Sequence, residues 1–264
     1  MAQANTDGEL LYELRDGIGF VTLNRPQARN ALTFPMYERL REIAAGAAAD
    51  EALKVLVITG AGEKAFAAGT DISQFSSFRT PEDALAYEER IDRVLVALEE
   101  CPKPTIAAIS GAATGGGAAI AAVCDLRIAA ANARIGFPIA KTLGNCLSMA
   151  NYGRLAALIG PARVVDLIYT ARLIEAEEAK AIGLVSELLP DHAALQVRAE
   201  ALARTIAGHA PLTLRATKEA MRRLRLAARQ VDGDDLVTLC FTSADFRHGV
   251  ESFLARQPAR WTGC

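Results

Sequence analysis

Apolar and polar residues along this chain form blocks that predict alternating strands and helices. Residues 55–59 and 105–109 are short, almost wholly apolar runs, a pattern typical of strands buried on both faces of a sheet. Between these runs a helical period extends from a Thr80 cap and Pro81 to about Glu100. The order of strand, helix and strand predicts an α/β fold with stacked βα units and one layer of helices.

The first part of the chain predicts a β-hairpin followed by a helix. Residues 10–12 and 18–23 are strand-like, and Asp16-Gly17 between them is a strong signal for a hairpin turn. After a polar loop, Thr33 can cap a helix whose apolar stripe continues to near Asp50.

The last third of the chain predicts mostly helices. A further strand is predicted at 125–130, but the strand pattern fades beyond Arg154. The segments with a helical period are 154–159, 162–169, 175–181, 191–207 and 211–230, followed by a last helix or helix pair at 231–255. Gly160-Pro161 and Gly183 act as breakers between them.

The composition indicates a protein with a large core and no strong charge bias. It has 264 residues, of which 51% are hydrophobic and 23% charged, and its formal net charge is −2. This balance gives no general surface for nucleic acid or membrane. No apolar run approaches eighteen residues, and the N-terminus lacks the charged and apolar regions of a secretion signal. We therefore expect a cytoplasmic protein.

The cysteines and histidines are too scattered for a metal site or a disulfide framework. The chain has five cysteines, none of them in a C-x-x-C pair, and three histidines. We expect no bound metal.

One glycine-rich stretch organises the chain. The strand at 105–109 leads into Gly115, Gly116 and Gly117, and the alanine-rich segment 118–123 then favours a helix. Amides at a helix N-terminus have no internal acceptors and lie at the positive end of the helix dipole. They suit an anion or a developing oxyanion, which glycines allow to approach closely. The alternative, in which the glycines only allow a helix to pack tightly on a strand, stays open at this point.

Other glycine motifs do not fit this stretch. A P-loop needs Lys followed by Ser or Thr after the glycines, where Ala118 and Ala119 stand. The glycine spacing and the acidic residue of a dinucleotide fingerprint are both absent. A nucleophile elbow needs a glycine two positions before Ser110, and there is none. A nicotinamide-dependent oxidoreductase is therefore disfavoured.

Two glycine loops together, KAFAAGTDI at 64–72 and SGAATGGGAAIAAVCD at 110–125, resemble the crotonase superfamily, also called the enoyl-CoA hydratase/isomerase family. The other matching pieces are Asn24-Arg25-Pro26, Asn30-Ala31-Leu32, Ala176 and Ala179 with Gly183-Leu184-Val185, and Phe253. They follow the family's order and spacing over nearly the whole chain.

This resemblance implies an α/β fold of the ClpP/crotonase-like type. Residues 1–195 are expected to form a spiral of ββα units that holds an acyl-CoA site. Residues 196–264 are expected to form a C-terminal helical trimerisation region. The implied assemblies are a homotrimer or a dimer of trimers.

The resemblance also implies that the backbone amides of Thr70 and Gly116 hold the thioester oxygen of an acyl-CoA. Such a site stabilises an enolate or a tetrahedral oxyanion, and loss of one donor costs roughly 3 kcal/mol. Coenzyme A would enter as part of the substrate, and no separate cofactor is implied. The residues expected to bind it are Lys64, Ala67, Ala68, Gly69, Gly115 and Phe253.

The chain departs from the family's hydratases at both positions that carry glutamates in those enzymes. The resemblance places one two residues after the glycine triplet and the other directly after a proline, where this chain has Ala119 and Ile139. A positioned acid or base contributes roughly 10²- to 10⁴-fold in rate. We therefore expect an acyl-CoA enzyme that is not an efficient hydratase.

Other residues are candidates for the missing proton chemistry. Asp71, beside the first expected oxyanion donor, can act as a base or cap a helix. Asn145 can align a water or a carboxylate, and Lys141 and Cys146 lie in the same polar loop. The alternatives that stay open are an acyl-CoA hydrolase, a decarboxylase and a catalytically silent acyl-CoA-binding protein.

Overall fold

Two β-sheets form the frame of the computed structural model, which describes residues 4–5, 8–227 and 233–263. The strands are β1 (Ala4–Asn5), β2 (Leu10–Arg15), β3 (Ile18–Leu23), β4 (Val55–Gly60), β5 (Ala65–Ala67), β6 (Thr105–Ile109), β7 (Ala112–Thr114), β8 (Leu126–Ala130), β9 (Arg134–Gly136), β10 (Ile174–Glu175) and β11 (Glu187–Leu189). The larger sheet has the order β1-β2-β3-β4-β6-β8-β11, and the smaller has the order β10-β9-β7-β5. Strands β3, β4, β6, β8 and β11 are mutually parallel, as stacked βα units require.

The helices flank these sheets and fill most of the last third of the chain. They are α1 (Phe34–Gly46), α2 (Pro81–Glu100), α3 (Gly116–Val123), α4 (Ile139–Thr142), α5 (Met149–Ile159), α6 (Pro161–Thr170), α7 (Ala176–Ala181), α8 (His192–Ala207), α9 (Pro211–Ala227), α10 (Asp234–Phe241) and α11 (Ala244–Leu254). The predicted helical segments beyond Arg154 are confirmed where the structure describes them. Residues 228–232 and Cys264 lie outside the described residues.

The predicted hairpin is formed by β2 and β3. The two strands pair antiparallel, with Arg15 opposite Ile18. The residues between them, Asp16 and Gly17, both have positive φ angles, of 51° and 79°. Two such residues match the right-handed twist of a hairpin, which explains why the Asp-Gly pair identified the turn correctly.

The central strands β4 and β6 of the larger sheet are buried on both faces, as their apolar sequences predict. In β4, Leu56 and Ile58 belong to the main core, whereas Val55 and Val57 pack with α8 on the opposite face. The prediction of one helical layer is therefore wrong, because α8 covers the second face. Its buried side chains are Leu195, Ala199, Ala203 and Ile206.

Five short strands escaped the sequence analysis. Strands β1, β7, β9, β10 and β11 contain only two or three residues each, which is too short for an alternating pattern to show. The strand pattern fades beyond Arg154, yet β11 still pairs in parallel with β8 at the edge of the larger sheet. Helix α1 also ends at Gly46, earlier than predicted.

The N-terminus of α2 is fixed by a capping box. The Thr80 hydroxyl accepts a hydrogen bond from the Asp83 amide at 3.3 Å, and the Asp83 carboxylate accepts one from the Thr80 amide at 2.9 Å. Thr33 occupies the same position before α1 but makes no capping hydrogen bond. Its hydroxyl donates to Glu9 at 2.7 Å instead, so the predicted cap is absent.

Replacing Thr80 with alanine is expected to lower the free energy of unfolding by about 1 kcal/mol, because one capped amide loses its acceptor. Thr33→Ala is the matched control and is expected to cost less, since Thr33 caps no amide. Urea unfolding at equal pH measures both variants. Equal losses in the two variants would show that the capping box contributes nothing specific.

Helix α10 packs against α2, and α11 packs against α10 and α4. Helices α10 and α11 contribute Val237, Phe241, Phe246 and Val250 to a third apolar cluster, which Phe75 joins from a 3₁₀ helix, Ile72–Ser77. The expected boundary between residues 195 and 196 falls within α8. None of the helices in the described part of the chain combines the length and hydropathy that crossing a membrane requires.

Candidate active site

The two glycine loops meet at one edge of the smaller sheet. Strands β5 and β7 are parallel neighbours, with Ala67 opposite Ala113, so the loops that follow them emerge side by side. Gly69 and Gly115 have φ angles of +95° and +51°. A Cβ on Gly115 would lie 3.6 Å from the Gly69 Cα. The sequence alone does not determine whether the two loops meet. In the structure they are in contact.

The two expected oxyanion donors both lie at this junction. Leu32 forms a parallel bridge with Thr70, in which the Leu32 amide donates to Gly69 and its carbonyl accepts from Asp71. The Thr70 amide takes no part in this bridge and donates to no acceptor among the described residues. The Gly116 amide belongs to the first turn of α3, where helical amides have no internal acceptor.

A chain of three hydroxyl groups lies behind these amides. The Thr70 Oγ1 is 2.9 Å from the Tyr37 hydroxyl and 2.8 Å from the Tyr87 hydroxyl. Burial raises the pKa of both tyrosines above their ordinary value, so both stay protonated. A Cβ on Gly116 would overlap the Tyr37 hydroxyl oxygen. The hydroxyl chain therefore ties the Thr70 loop to α1 and α2 and lies directly against the start of α3.

A cleft of about 160 Å³ opens in front of the two amides. It contains most of the residues that the sequence analysis selected. The selected residues that line it are Ala68, Gly69, Thr70, Gly115, Gly116, Asn145 and Phe253, together with Ala119 and Ile139. Lys64, Ala67 and Asp71 do not line it.

The sequence model of the enoyl-CoA hydratase/isomerase family matches residues 13–264 of this chain. The chain belongs to this family. The short-chain-enoyl-CoA hydratase of Clostridium acetobutylicum is 33% identical over 255 residues, which cover 94% of this chain and 95% of the relative. The crotonyl-CoA hydratase of Syntrophomonas wolfei is 33% identical over 262 residues, covering 96% and 97%.

Solved structures superpose on this protein, as the expected crotonase fold predicts. The crystal structure of an enoyl-CoA hydratase from Mycobacterium avium subsp. paratuberculosis superposes with a TM-score of 0.82 at 26% identity, covering 97% of this chain and 99% of that one. The predicted fold class is thus confirmed, and the helical C-terminal region fits it.

Gly116 and Gly117 have different structural roles in this protein. Gly116 stands at the cleft, whereas a Cβ on Gly117 would overlap the backbone of Ala67. Gly117 therefore allows α3 to pack closely on β5, which is the structural alternative left open for the triplet. Ala67 is buried in that contact and Lys64 is exposed beyond it.

Asp71 is committed to the loop and does not reach the cleft lining. Its side chain accepts hydrogen bonds from Ser73 and pairs with Arg25 at 2.9 Å. Partial burial raises its pKa, but the bonds from Ser73 and Arg25 outweigh this effect and hold the pKa below its ordinary value. The carboxylate thus caps the 3₁₀ helix after the loop and ties that loop to Arg25.

At both positions where the family's hydratases are expected to carry glutamates, this protein has apolar side chains that face the cleft. Ala119 and Ile139 are buried residues of its wall. Asn145 lies in the same wall, and its Nδ2 donates to the Cys146 carbonyl at 3.3 Å. The Asn145 Oδ1 is buried and has no partner in the described part of the chain. It therefore offers an acceptor to a ligand or a water.

Glu88 is a cleft residue that sequence reasoning missed. It lies on α2, is 8% exposed, and is the one carboxylic acid among the described residues that line the cleft. Burial raises its pKa to about 8, with a further contribution from Asp92, while a hydrogen bond from the Ser148 amide opposes the shift. Within the described residues, no three His, Cys, Asp or Glu side chains come together as a metal site requires.

A second cleft, of about 620 Å³, lies between α9 and the helices α3 and α5. It is larger but shares no lining residue with the glycine loops. Its wall includes the buried Arg154, which pairs with Asp92 at 2.8 Å and Glu99 at 2.9 Å. Because both expected oxyanion donors line the smaller cleft, we regard that cleft as the candidate active site.

Proposed function

We propose that this protein is an acyl-CoA enzyme whose Thr70 and Gly116 amides bind the thioester oxygen and stabilise an enolate. The observation that supports this most is the meeting of the two glycine loops, with two unpaired amides at one cleft. The bridge between Leu32 and Thr70 positions the first amide, and the start of α3 positions the second. Donors fixed in this way stabilise charge that develops on the oxygen without the cost of reorienting them.

Enolate formation places its charge where these donors lie. When a proton leaves the α-carbon of a thioester, the electron pair of the C–H bond moves toward the carbonyl and the oxygen becomes negative. The dipole of α3 also favours negative charge at the N-terminus that Gly116 begins. Together these features favour the enolate over the neutral thioester, which is the condition for catalysis.

The cleft favours a short or compact acyl group. A protein cavity of about 150 Å³ holds a molecule the size of benzene, and this cleft measures about 160 Å³. Phe253, half exposed at the cleft, and the Ala68-Gly69 backbone are placed to contact the pantetheine part of the substrate. We assign the exposed Lys64 to the coenzyme A phosphates, and coenzyme A is part of the substrate in this proposal.

This protein is expected to catalyse the hydration of an enoyl-CoA only slowly. The relatives named above are enoyl-CoA hydratases, and the shared family supports acyl-CoA as the substrate class here. Addition of water needs one group to activate the water and another to deliver a proton to the α-carbon. Ala119 and Ile139 provide neither, and we therefore propose enolate chemistry without efficient hydration.

The C-terminal helices also support the proposal of a trimer or a dimer of trimers. Helix α9 exposes Leu212, Met221 and Leu224, which are 76%, 58% and 66% accessible. Apolar side chains repeated on one exposed helix are typical of surfaces that contact another subunit. The proposed oligomerisation region, residues 196–264, includes this helix.

The proposed function predicts that the protein binds crotonyl-CoA, and that free coenzyme A competes with it. The turnover rate for hydration of crotonyl-CoA is expected to be about 0.1 s⁻¹ or below. The loss of the conjugated-thioester absorbance measures this rate. This value is at least 10² under a median enzyme rate of about 10 s⁻¹.

Calorimetric titration with NAD serves as the negative control for binding. Absence of crotonyl-CoA binding would contradict the acyl-CoA assignment itself. Hydration at a rate typical of enzymes would contradict only the claim that this protein is a poor hydratase.

A further inference from the structure

Glu88 provides the candidate active site with a titratable group that the family resemblance did not supply. It projects from the middle of α2 into a wall that also contains Thr70 and Gly116. Its neighbour Tyr87 bonds directly to the Thr70 hydroxyl at 2.8 Å. A carboxyl group therefore lies in the same small cleft as both proposed oxyanion donors.

The surroundings of Glu88 keep its proton available near neutral pH. Burial disfavours the carboxylate, and Asp92, one helical turn further on, adds repulsion. Asp92 is itself paired with Arg154 of α5 at 2.8 Å. Titratable groups that interact electrostatically with Glu88 also include Tyr37 of α1, Tyr87 of α2, and Cys146 and Tyr152 on the chain after α4.

The other polar groups of the cleft are poor proton carriers. The Tyr87 hydroxyl is buried and bonded to Thr70, and burial holds its pKa well above the ordinary value. Asn145 and Asn151 have amide side chains that do not titrate. The efficiency of acid and base catalysis is greatest when the pKa of the group lies near the working pH. Among the described lining residues, Glu88 meets this condition.

We propose that Glu88 is a catalytic residue that exchanges a proton with the α-carbon of the bound thioester. In the forward step its carboxylate accepts the α-proton, the C–H bond breaks, and its electron pair forms the enolate whose oxygen is held by Thr70 and Gly116. In the reverse step the carboxylic acid returns a proton to carbon. This inference rests on the proposed function and adds the group that moves the proton.

A single acid of this kind defines the class of reaction. One carboxyl group can remove a proton from one carbon and return it to another carbon of the conjugated system, which suffices for isomerisation of a double bond. It also suffices to protonate an enolate that arises by loss of another group. Net addition of water needs a second group, so the proposal agrees with slow hydration.

The test measures how fast the α-protons of phenylacetyl-CoA exchange for deuterium in deuterium oxide. Mass spectrometry monitors the deuterium content of the thioester. Its benzylic protons are relatively acidic, and its ring matches the volume of the cleft. Wild-type protein is expected to catalyse exchange, with a rate that rises with pH toward a plateau above about pH 8. Glu88→Gln is expected to lower this rate at least 10²-fold and to remove the pH dependence.

Glu89→Gln is the matched control, since Glu89 is the exposed neighbour on the same helix. It is expected to exchange at the wild-type rate. Glu88→Asp keeps the acid but shortens the side chain, and it is expected to recover part of the rate together with the pH dependence. Binding of phenylacetyl-CoA, measured by calorimetry, is expected to change less than threefold in all three variants.

The outcomes separate this inference from the proposed function. If wild-type protein exchanges the protons and Glu88→Gln exchanges them at a similar rate, Glu88 is not the proton carrier and the acyl-CoA function stands. If wild-type protein binds the thioester but exchanges nothing, both the enolate chemistry and the role of Glu88 are wrong. If no thioester binds, the proposed function itself fails.

Discussion

Replacing Gly116 with alanine is expected to lower α-proton exchange by about 10²- to 10³-fold. The new Cβ would overlap the Tyr37 hydroxyl oxygen, so the start of α3 must move. Movement of that turn displaces the Gly116 amide from the position where the enolate oxygen forms. Loss of one such donor typically has an effect of this size, and the exchange assay in deuterium oxide measures it.

A second substitution separates the steric effect from the loss of the donor. Tyr37→Phe removes the overlapping oxygen and leaves the nearest ring carbon 3.2 Å from the new Cβ, so it is expected to restore part of the rate in the Gly116→Ala background. Gly116→Pro in the Tyr37→Phe background keeps a Cβ but lacks the amide hydrogen. Proline is tolerated at the first position of a helix, which Gly116 occupies in α3.

The proline double variant is therefore expected to fold and to stay 10²-fold or more below the alanine double variant. Circular dichroism and thermal unfolding check that both double variants are folded. Equal exchange rates in the two double variants would mean that the Gly116 amide is not an oxyanion donor.

Glu88→Gln is expected to make the protein more stable than the wild type at alkaline pH. The pKa of Glu88 is about 8 in the folded protein, against an ordinary value of 4.5. Between these values the folded state holds a proton that the unfolded state has lost, so wild-type stability falls as pH rises toward 8. Glutamine stays neutral and avoids this loss. The stability difference between variant and wild type is expected to grow by about 4 kcal/mol from pH 5 to pH 9.

Urea unfolding at pH 5, 7 and 9 measures this difference, and comparison with the wild type at each pH cancels the other titrating groups. Glu89→Gln again serves as the control, because it makes the same chemical change at an exposed position of the same helix. A constant difference for Glu88→Gln would show that Glu88 titrates normally. It would also remove the electrostatic support for its proposed role.

Much of the fold could be predicted because its signals are local. The Asp16-Gly17 turn, the apolar strand β4 and the capped start of α2 each depend on a few adjacent residues. The placement of α8 on the second face of the sheet depends on contacts between distant parts of the chain, such as Leu195 with the strands. No local pattern records that contact, and the two- and three-residue strands left no pattern either.

The glycine loops of the candidate site could be predicted because their backbone is unusual. Glycines mark places that a side chain would block, and Gly116 shows this directly. Glu88 was missed because an acid on a helix usually faces water. The helix pattern nonetheless held a signal, since the buried stripe of α2 contains Ala84, Glu88, Ile91, Leu95 and Leu98. An acid within an apolar stripe at this spacing identifies a buried carboxyl group.

The hydroxyl chain behind the two amides has a consequence that follows from counting protons. Tyr37, Thr70 and Tyr87 carry three hydroxyl protons, and the two hydrogen bonds that join them use two. One of the three hydroxyl groups therefore always has a proton that takes part in neither of these two hydrogen bonds. Rotating the three O–H bonds reverses the local dipole while every heavy atom stays in place. In the proposed reaction, a neutral thioester and its enolate can therefore experience different electric fields from one rigid set of side chains.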